Sequence, residues 1–87
     1  MVSHSIPNAL TIAGSDPSGG AGLQADIKTF SALGVYATNV ITAVIAQNTR
    51  GVAAVEPVSV TMIRTQLDNL LDDVEIDAVK IGMVASR

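Results

Sequence analysis

The segment richest in residues that could bind a ligand is the glycine-rich run Gly14–Gly22, with the sequence GSDPSGGAG. It follows a short apolar run and precedes a helical pattern, and ligands of open α/β sheets bind where a strand passes into a helix. Three ligand-binding functions suit such a loop: a P-loop for phosphates, a dinucleotide-binding turn, or a wall of small residues that lets a ligand lie against backbone N–H groups. An ordinary turn formed by Asp16 and Pro17 is the structural alternative.

Two of these functions conflict with the sequence. Gly14 and Gly19 have the spacing of a P-loop, but the lysine and the Ser/Thr of that motif are missing. Residues 20–25 fit the dinucleotide pattern G-x-G-x-x-A, yet no acidic residue that could bind a ribose occurs between Asp26 and Glu56. The loop is therefore either a ligand wall or a structural turn.

The remaining polar residues are weaker candidates for chemistry. Five acidic residues around the predicted end of the second helix lack a fixed ligand spacing, which favours a solvated surface over a metal site. They are Asp68, Asp72, Asp73, Glu75 and Asp77. His4 precedes the first strand and receives no role. Lys80 lies within an apolar strand, which favours an edge residue with its stem along the sheet over a catalytic amine.

The strands that must position these residues are short and apolar. Residues 9–13, 40–46 and 78–84 are rich in apolar and β-branched side chains, as expected for buried strands. Residues 52–55 predict a short edge or flap strand that ends at Pro57. We therefore expect a βαβ series with a mostly parallel sheet.

Two helices are predicted between these strands. Apolar residues recur at helical spacing over residues 22–33, where Gly34 is placed to end the helix, and again after Ser59, which suits an N-cap. Two helices cannot cover both faces of three or four apolar strands, so we expect exposed apolar sheet surface. The chain is then either truncated or completed by another chain.

Composition narrows the class of protein. The chain has 87 residues, of which 48% are hydrophobic and 15% charged, with a net charge of −3 and no cysteine. The absence of a basic cluster argues against nucleic acid and anionic membranes as partners. Without a basic, apolar leader or a long apolar run, a cytoplasmic location is expected.

The most informative match is to a known family. The run Thr11–Phe30, TIAGSDPSGGAGLQADIKTF, closely resembles the opening of the hydroxymethylpyrimidine and phosphomethylpyrimidine kinases of thiamine biosynthesis. Two later segments match in order, within residues 40–49 and 77–83, so the resemblance covers nearly the whole chain from Asn8. It implies a ribokinase-like α/β fold, apparently truncated, in which residues 1–87 are the N-terminal substrate-binding part of a single kinase domain.

The same resemblance places four residues around the pyrimidine: Gly14, Asp26, Gln47 and Met83. Gln47 begins the predicted exit loop 47–51 and carries an amide donor and acceptor that can pair with a ring nitrogen and an exocyclic amine, or can cap loop backbone. Asp26 would accept from a substrate amine or hydroxyl, although a carboxylate near a helix N-terminus can be purely structural. Met83 would cover the ring or lie in the core, and Gly14 would allow close approach or a special turn.

The activity that the resemblance implies is transfer of the ATP γ-phosphoryl group, with Mg²⁺, to the hydroxymethyl group and then to the resulting monophosphate. In this family the anion hole and catalytic base lie near the C-terminus, beyond residue 87, so we assign no catalytic residue and expect no kinase activity from this chain alone. The implied partner is a small pyrimidine, and a homo-oligomeric complete enzyme is compatible with the sequence. The alternatives are a pyridoxine or pyridoxal-type kinase, a non-catalytic binding module, and an interaction protein completed by another chain.

Overall fold

The fold is built on a short parallel sheet and a separate hairpin, in a computed structural model that describes residues 6–82. Strands and helices follow one another in the order expected of a βαβ series. They are β1 (Asn8–Ala13), α1 (Gly22–Ala32), β2 (Tyr36–Ile41), β3 (Ala43–Asn48), β4 (Gly51–Pro57), α2 (Val60–Leu71) and β5 (Ala78–Ile81).

The parallel sheet has the strand order β2-β1-β5, with β1 in the centre. Because β1 has a hydrogen-bonded neighbour on each edge and α1 packed against it, its side chains are the most buried of the chain. Leu10 and Thr11 on β1 and Val40 on β2 are almost completely excluded from solvent. The predicted α/β class and mostly parallel sheet are confirmed.

The predicted strand 40–46 is wrong, because it joins parts of two strands in different sheets. β2 ends at Ile41, Thr42 leaves the ladder, and β3 begins at Ala43. Thr42 donates its N–H to the carbonyl of Ala13 at 3.0 Å, whereas the carbonyl of Ala43 accepts from Ser15 at 3.0 Å. These bonds from a distant loop redirect the chain within a continuous apolar run.

The second sheet is an antiparallel hairpin of β3 and β4. The flap strand predicted at residues 52–55 is confirmed and extends to Gly51–Pro57. All seven of its residues are exposed, which explains why its apolar pattern was short and irregular. The hairpin is attached to the parallel sheet at the ends of strands rather than by a shared ladder.

The two helices follow the predicted boundaries closely. Ser59 is the N-cap of α2 as expected, and its hydroxyl accepts from the N–H of Met62 at 3.1 Å. The Gln66 amide of α2 then accepts from the N–H of Ile41 and donates to its carbonyl, both at 2.9 Å. These two hydrogen bonds satisfy the backbone N–H and C=O of Ile41 at the end of β2, where pairing with β1 stops.

Much apolar surface is exposed, as the ratio of helices to strands predicts. Every residue of β5 is exposed, and α2 has no buried residue. Large exposed apolar side chains include Leu33, Val52, Val60, Leu71 and Ile81. Within residues 6–82, neither helix has the length and apolar character needed to cross a membrane.

Candidate functional site

A cavity of about 570 Å³ opens at the carboxyl end of β1, beside the glycine-rich loop. Its wall combines the loop between β1 and α1, one face of the β3–β4 hairpin and the end of β5. The lining residues are Ala13, Gly14, Ser15, Asp16, Ala21, Gly22, Ala43, Ile45, Gln47, Val52, Val55, Lys80 and Gly82. This is where open α/β sheets bind ligands.

The hairpin presents one continuous face to the cavity. On β3, alternate residues Ala43, Ile45 and Gln47 line it, as the two-residue period of a strand requires. On β4 the lining residues are Val52 and Val55, three apart, which would lie on opposite faces of a regular strand. The register shifts between Ala46 and Gln47, so that one residue of β4 is left over and both valines reach the same face.

Gln47 therefore lies within β3 and on the cavity wall, so the predicted exit loop beginning at this residue is wrong. Its neighbour Asn48 does the capping, since its side-chain oxygen accepts from the N–H of Arg50 at 2.8 Å. Residues 6–82 supply no hydrogen-bond partner for the Gln47 amide. The amide is thus available to a ligand, and the loop-capping interpretation belongs to Asn48.

Gly14 lines the same cavity from the glycine-rich loop, next to β3. A Cβ at this position would approach Cδ1 of Ile45 to 3.0 Å, so the strand and the loop touch here because Gly14 has no side chain. Gly14 does not have a positive φ, so a special turn conformation is not the reason for glycine. Its carbonyl accepts from the N–H of Leu23 at 2.9 Å, which ties the loop to the start of α1.

Asp26 does not line this cavity, in contrast to Gly14 and Gln47. Its carboxylate accepts from the Thr11 hydroxyl at 2.6 Å and from the Lys80 ammonium at 3.0 and 3.1 Å. Thr11 and Lys80 are paired residues on neighbouring strands, so the sheet presents both donors side by side. Lys80 is the member of the ion pair that lines the cavity, with a side chain 52% exposed against 15% for Asp26. Met83 lies outside the described residues, and its role stays a prediction.

The glycine-rich loop is organised by the carboxylate of Asp16, which is only 2% exposed. One oxygen accepts from the N–H and the hydroxyl of Ser18, at 2.9 and 2.7 Å, and the other from the N–H groups of Gly20 and Ala21, at 3.0 and 2.7 Å. The hydrogen bond from the Ser18 hydroxyl is the largest effect that lowers the pKa of Asp16 below its ordinary value. Burial opposes this shift, and the backbone N–H groups of Ser18, Gly20 and Ala21 lower the pKa further.

These bonds show that the loop contains a turn formed by Asp16, and the same loop lines the cavity. Asp16 is a turn former, as the structural alternative proposed, and the backbone N–H groups expected to face a ligand already bind a carboxylate. The loop therefore does not fit a nucleotide phosphate. Within residues 6–82 no three His, Cys, Asp or Glu side chains converge in a way that could hold a metal ion. The N–H groups of Ser18, Gly20 and Ala21 are thus already occupied and are not free to bind an ATP phosphate.

Thr11 is a site residue that the sequence did not single out, whereas Asp16 was considered only as a turn former and Lys80 only as an edge residue. Asp16 had a usable signal, because Asp followed by Ser two residues later and by glycines is typical of a carboxylate-capped turn. Lys80 and Asp26 are 54 residues apart and carry no local pattern that joins them. Their pairing follows from the parallel register of β1 and β5, which only the folded chain shows.

The fold and this strand-end cavity define an α/β protein of the ribokinase-like vitamin kinase class. The family model for phosphomethylpyrimidine kinase matches residues 16–87. The chain belongs to the phosphomethylpyrimidine kinase family. It is 63% identical over 79 residues to the hydroxymethylpyrimidine/phosphomethylpyrimidine kinase of Rhizobium meliloti, an alignment that covers 91% of this chain and 30% of the relative.

Solved structures agree with this assignment. The crystal structure of phosphomethylpyrimidine kinase from Clostridium difficile is 57% identical, with a TM-score of 0.89 over 92% of this chain and 35% of that one. Pyridoxal kinase from Bacillus subtilis, solved as an ADP complex, is 42% identical, with a TM-score of 0.84 over 94% of this chain and 32% of that one. The chain spans about 30% of the length of the curated relatives it matches.

Proposed function

We propose that residues 1–87 form the substrate-side part of a single kinase domain that phosphorylates hydroxymethylpyrimidine and its monophosphate with ATP. The observation that carries this proposal is the position of Gln47: its amide has no hydrogen-bond partner among residues 6–82 and lies on the wall of a cavity at the carboxyl end of the central strand. An aminopyrimidine offers a ring nitrogen and an exocyclic amine side by side, which one amide can bind with both its acceptor and its donor. The names of the relatives supply the reaction.

The remaining wall suits a flat, mostly apolar ring. Ile45, Val52 and Val55 of the hairpin line the cavity together with Gly14 of the loop, which lies against Ile45. We propose that Gly14 lets the ring lie against the backbone and that Met83 covers it. Asp26 would act on the substrate through Lys80, whose ammonium it holds at the cavity wall.

The ATP site belongs, in this proposal, to the part of a full-length enzyme that this chain does not match. The described loop binds its own carboxylate and not a phosphate, so the two substrates would meet at the open side of the cavity. ATP use follows from the kinase family, Mg²⁺ would accompany it, and the isolated chain would be inactive. A cytoplasmic location and a homo-oligomeric complete enzyme stay predictions.

The test replaces Gln47 by Ala in an enzyme of full family length that carries these residues. Loss of two neutral hydrogen bonds, each about 0.5–1.5 kcal/mol, should raise the KM for hydroxymethylpyrimidine by about 5-fold to 150-fold. The matched control is Asn48→Ala, which removes an amide from the adjacent position outside the cavity and should leave KM within about threefold.

The same assay with pyridoxine or pyridoxal separates the second candidate, which the likeness to pyridoxal kinase favours. If the chain serves hydroxymethylpyrimidine, Gln47→Ala should reduce discrimination between the two vitamin precursors by about tenfold or more. If Gln47→Ala leaves the discrimination between the two substrates unchanged, Gln47 does not recognise the pyrimidine. If the wild-type enzyme prefers pyridoxal, the pyridoxal-type kinase is favoured.

A further inference from the structure

The carboxylate of Asp16 has the environment of a bound anion. Both oxygens are engaged by four donors in the loop, the N–H groups of Ser18, Gly20 and Ala21 and the hydroxyl of Ser18. An ionised carboxylate offers about four lone-pair positions, so its acceptor capacity is filled. Two of the donors stand at the start of α1, where the helix dipole favours negative charge.

The loop held by this carboxylate is joined directly to the strand that carries Gln47. Ser15 donates its N–H to the carbonyl of Ala43 at 3.0 Å, and its hydroxyl accepts from the N–H of Ile45 at 3.0 Å. Asp16 itself donates its N–H to the Gln24 side-chain oxygen at 2.6 Å, which anchors it to α1. A change in the fold of the loop would therefore also shift β3, the strand that carries Gln47 on the cavity wall.

We propose that Asp16 is a positioning residue whose carboxylate serves as a built-in anion, folding the glycine-rich loop into the wall against which the pyrimidine ring lies. This inference rests on the proposed function, because it names the ligand of that wall. The wall contacts the ring equally before and during phosphoryl transfer, so its loss should appear in KM and not in kcat.

The experiment uses Asp16→Ala in an enzyme of full family length. The KM for hydroxymethylpyrimidine should rise at least about tenfold, since hydrogen bonds to a charged acceptor are lost and the loop donors are left unpaired. The kcat of this variant should stay within about threefold of the wild-type value. Formate, which has the shape and charge of the missing carboxylate, should lower KM again and raise the melting temperature of this variant in the absence of substrate.

Two further variants keep the test decisive. Asp16→Asn fills the same space but turns an NH₂ group toward donors, so it should raise KM without any response to formate. Asp68→Ala is the control, because it removes an exposed carboxylate of α2 that does not line the cavity, and it should leave KM within about threefold. If Asp16→Ala fails to fold, Asp16→Asn decides: a wild-type KM in that variant overturns the proposal.

The result separates this inference from the proposed function. A defect in Asp16→Ala that falls on kcat alone, or one that formate leaves unchanged in both KM and melting temperature, overturns the role of Asp16 as a built-in anion. If Gln47→Ala leaves KM unchanged while formate still raises the melting temperature of Asp16→Ala, the carboxylate organises the loop and the assigned substrate is wrong.

Discussion

Replacing Thr11 by Val should destabilise the fold by about 1.5 kcal/mol. Thr11 is completely buried, and its hydroxyl donates to the Asp26 carboxylate at 2.6 Å. A hydrogen bond to a charged group contributes about 1.5–3 kcal/mol, and the lower figure applies here because Lys80 continues to donate to both oxygens of Asp26. Val has nearly the shape of Thr, so no cavity forms and the change reports the hydroxyl.

The assay is urea-induced unfolding of an enzyme of full family length, followed by far-ultraviolet circular dichroism at neutral pH. Thr29→Val is the matched control, because that hydroxyl is exposed and bonds only the carbonyl of Ala25, one turn earlier in α1. Its effect should stay within about 0.5 kcal/mol. An equal effect of the two substitutions would contradict the charge-assisted bond between Thr11 and Asp26.

Two further predictions concern the loop. Gly22 has a φ of 62° and a Cβ there would overlap the carbonyl of Gly14, so Gly22→Ala should lower the free energy of unfolding by at least about 2 kcal/mol. Gly34→Ala, with a φ of 76° and open space around it, should cost only about 1 kcal/mol, and equal losses in urea unfolding would refute the close approach. Because the pKa of Asp16 is lowered from its ordinary value of 3.8, its ionisation stabilises the fold above that pH and the contribution disappears as pH falls through the lowered pKa. The stability difference between wild type and Asp16→Asn should therefore shrink below about pH 4 in acid unfolding, and a constant difference would contradict the assignment.

The elements could be predicted where local chemistry determines them. Ser59 is an N-cap because its hydroxyl reaches an N–H three residues later, and Gly34 follows α1 with the positive φ that a helix end favours. The strand 40–46 could not be divided correctly, because its break at Thr42 depends on hydrogen bonds to Ala13 and to the loop. The apolar character of the run predicts neither the change of sheet nor the exposure of Val44 and Ala46 in β3.

The candidate site divides in the same way. Gly14 and Gln47 were predicted from the family motif, and the structure brings both to one cavity. Asp26 was predicted as a direct contact, but its bonds to Thr11 and Lys80 depend on strand register, which no short pattern encodes. The hydrogen bonds of the loop also required the folded chain, since Asp followed by Ser and glycines indicates a capped turn but not that the N–H groups of Gly20 and Ala21 reach the same carboxylate.

The separation of the hairpin from the parallel sheet lets recognition and stability vary independently. The side chains that bury the centre of the fold, Leu10 and Val40, belong to the parallel sheet, whereas Val52 and Val55 line the cavity yet remain 60% and 47% exposed. Substitutions at these two valines can reshape the space beside Gln47 without opening a hole in the interior. Under the proposed function, a change of ligand would therefore call for substitutions in the hairpin, while the residues that bury the parallel sheet could stay the same.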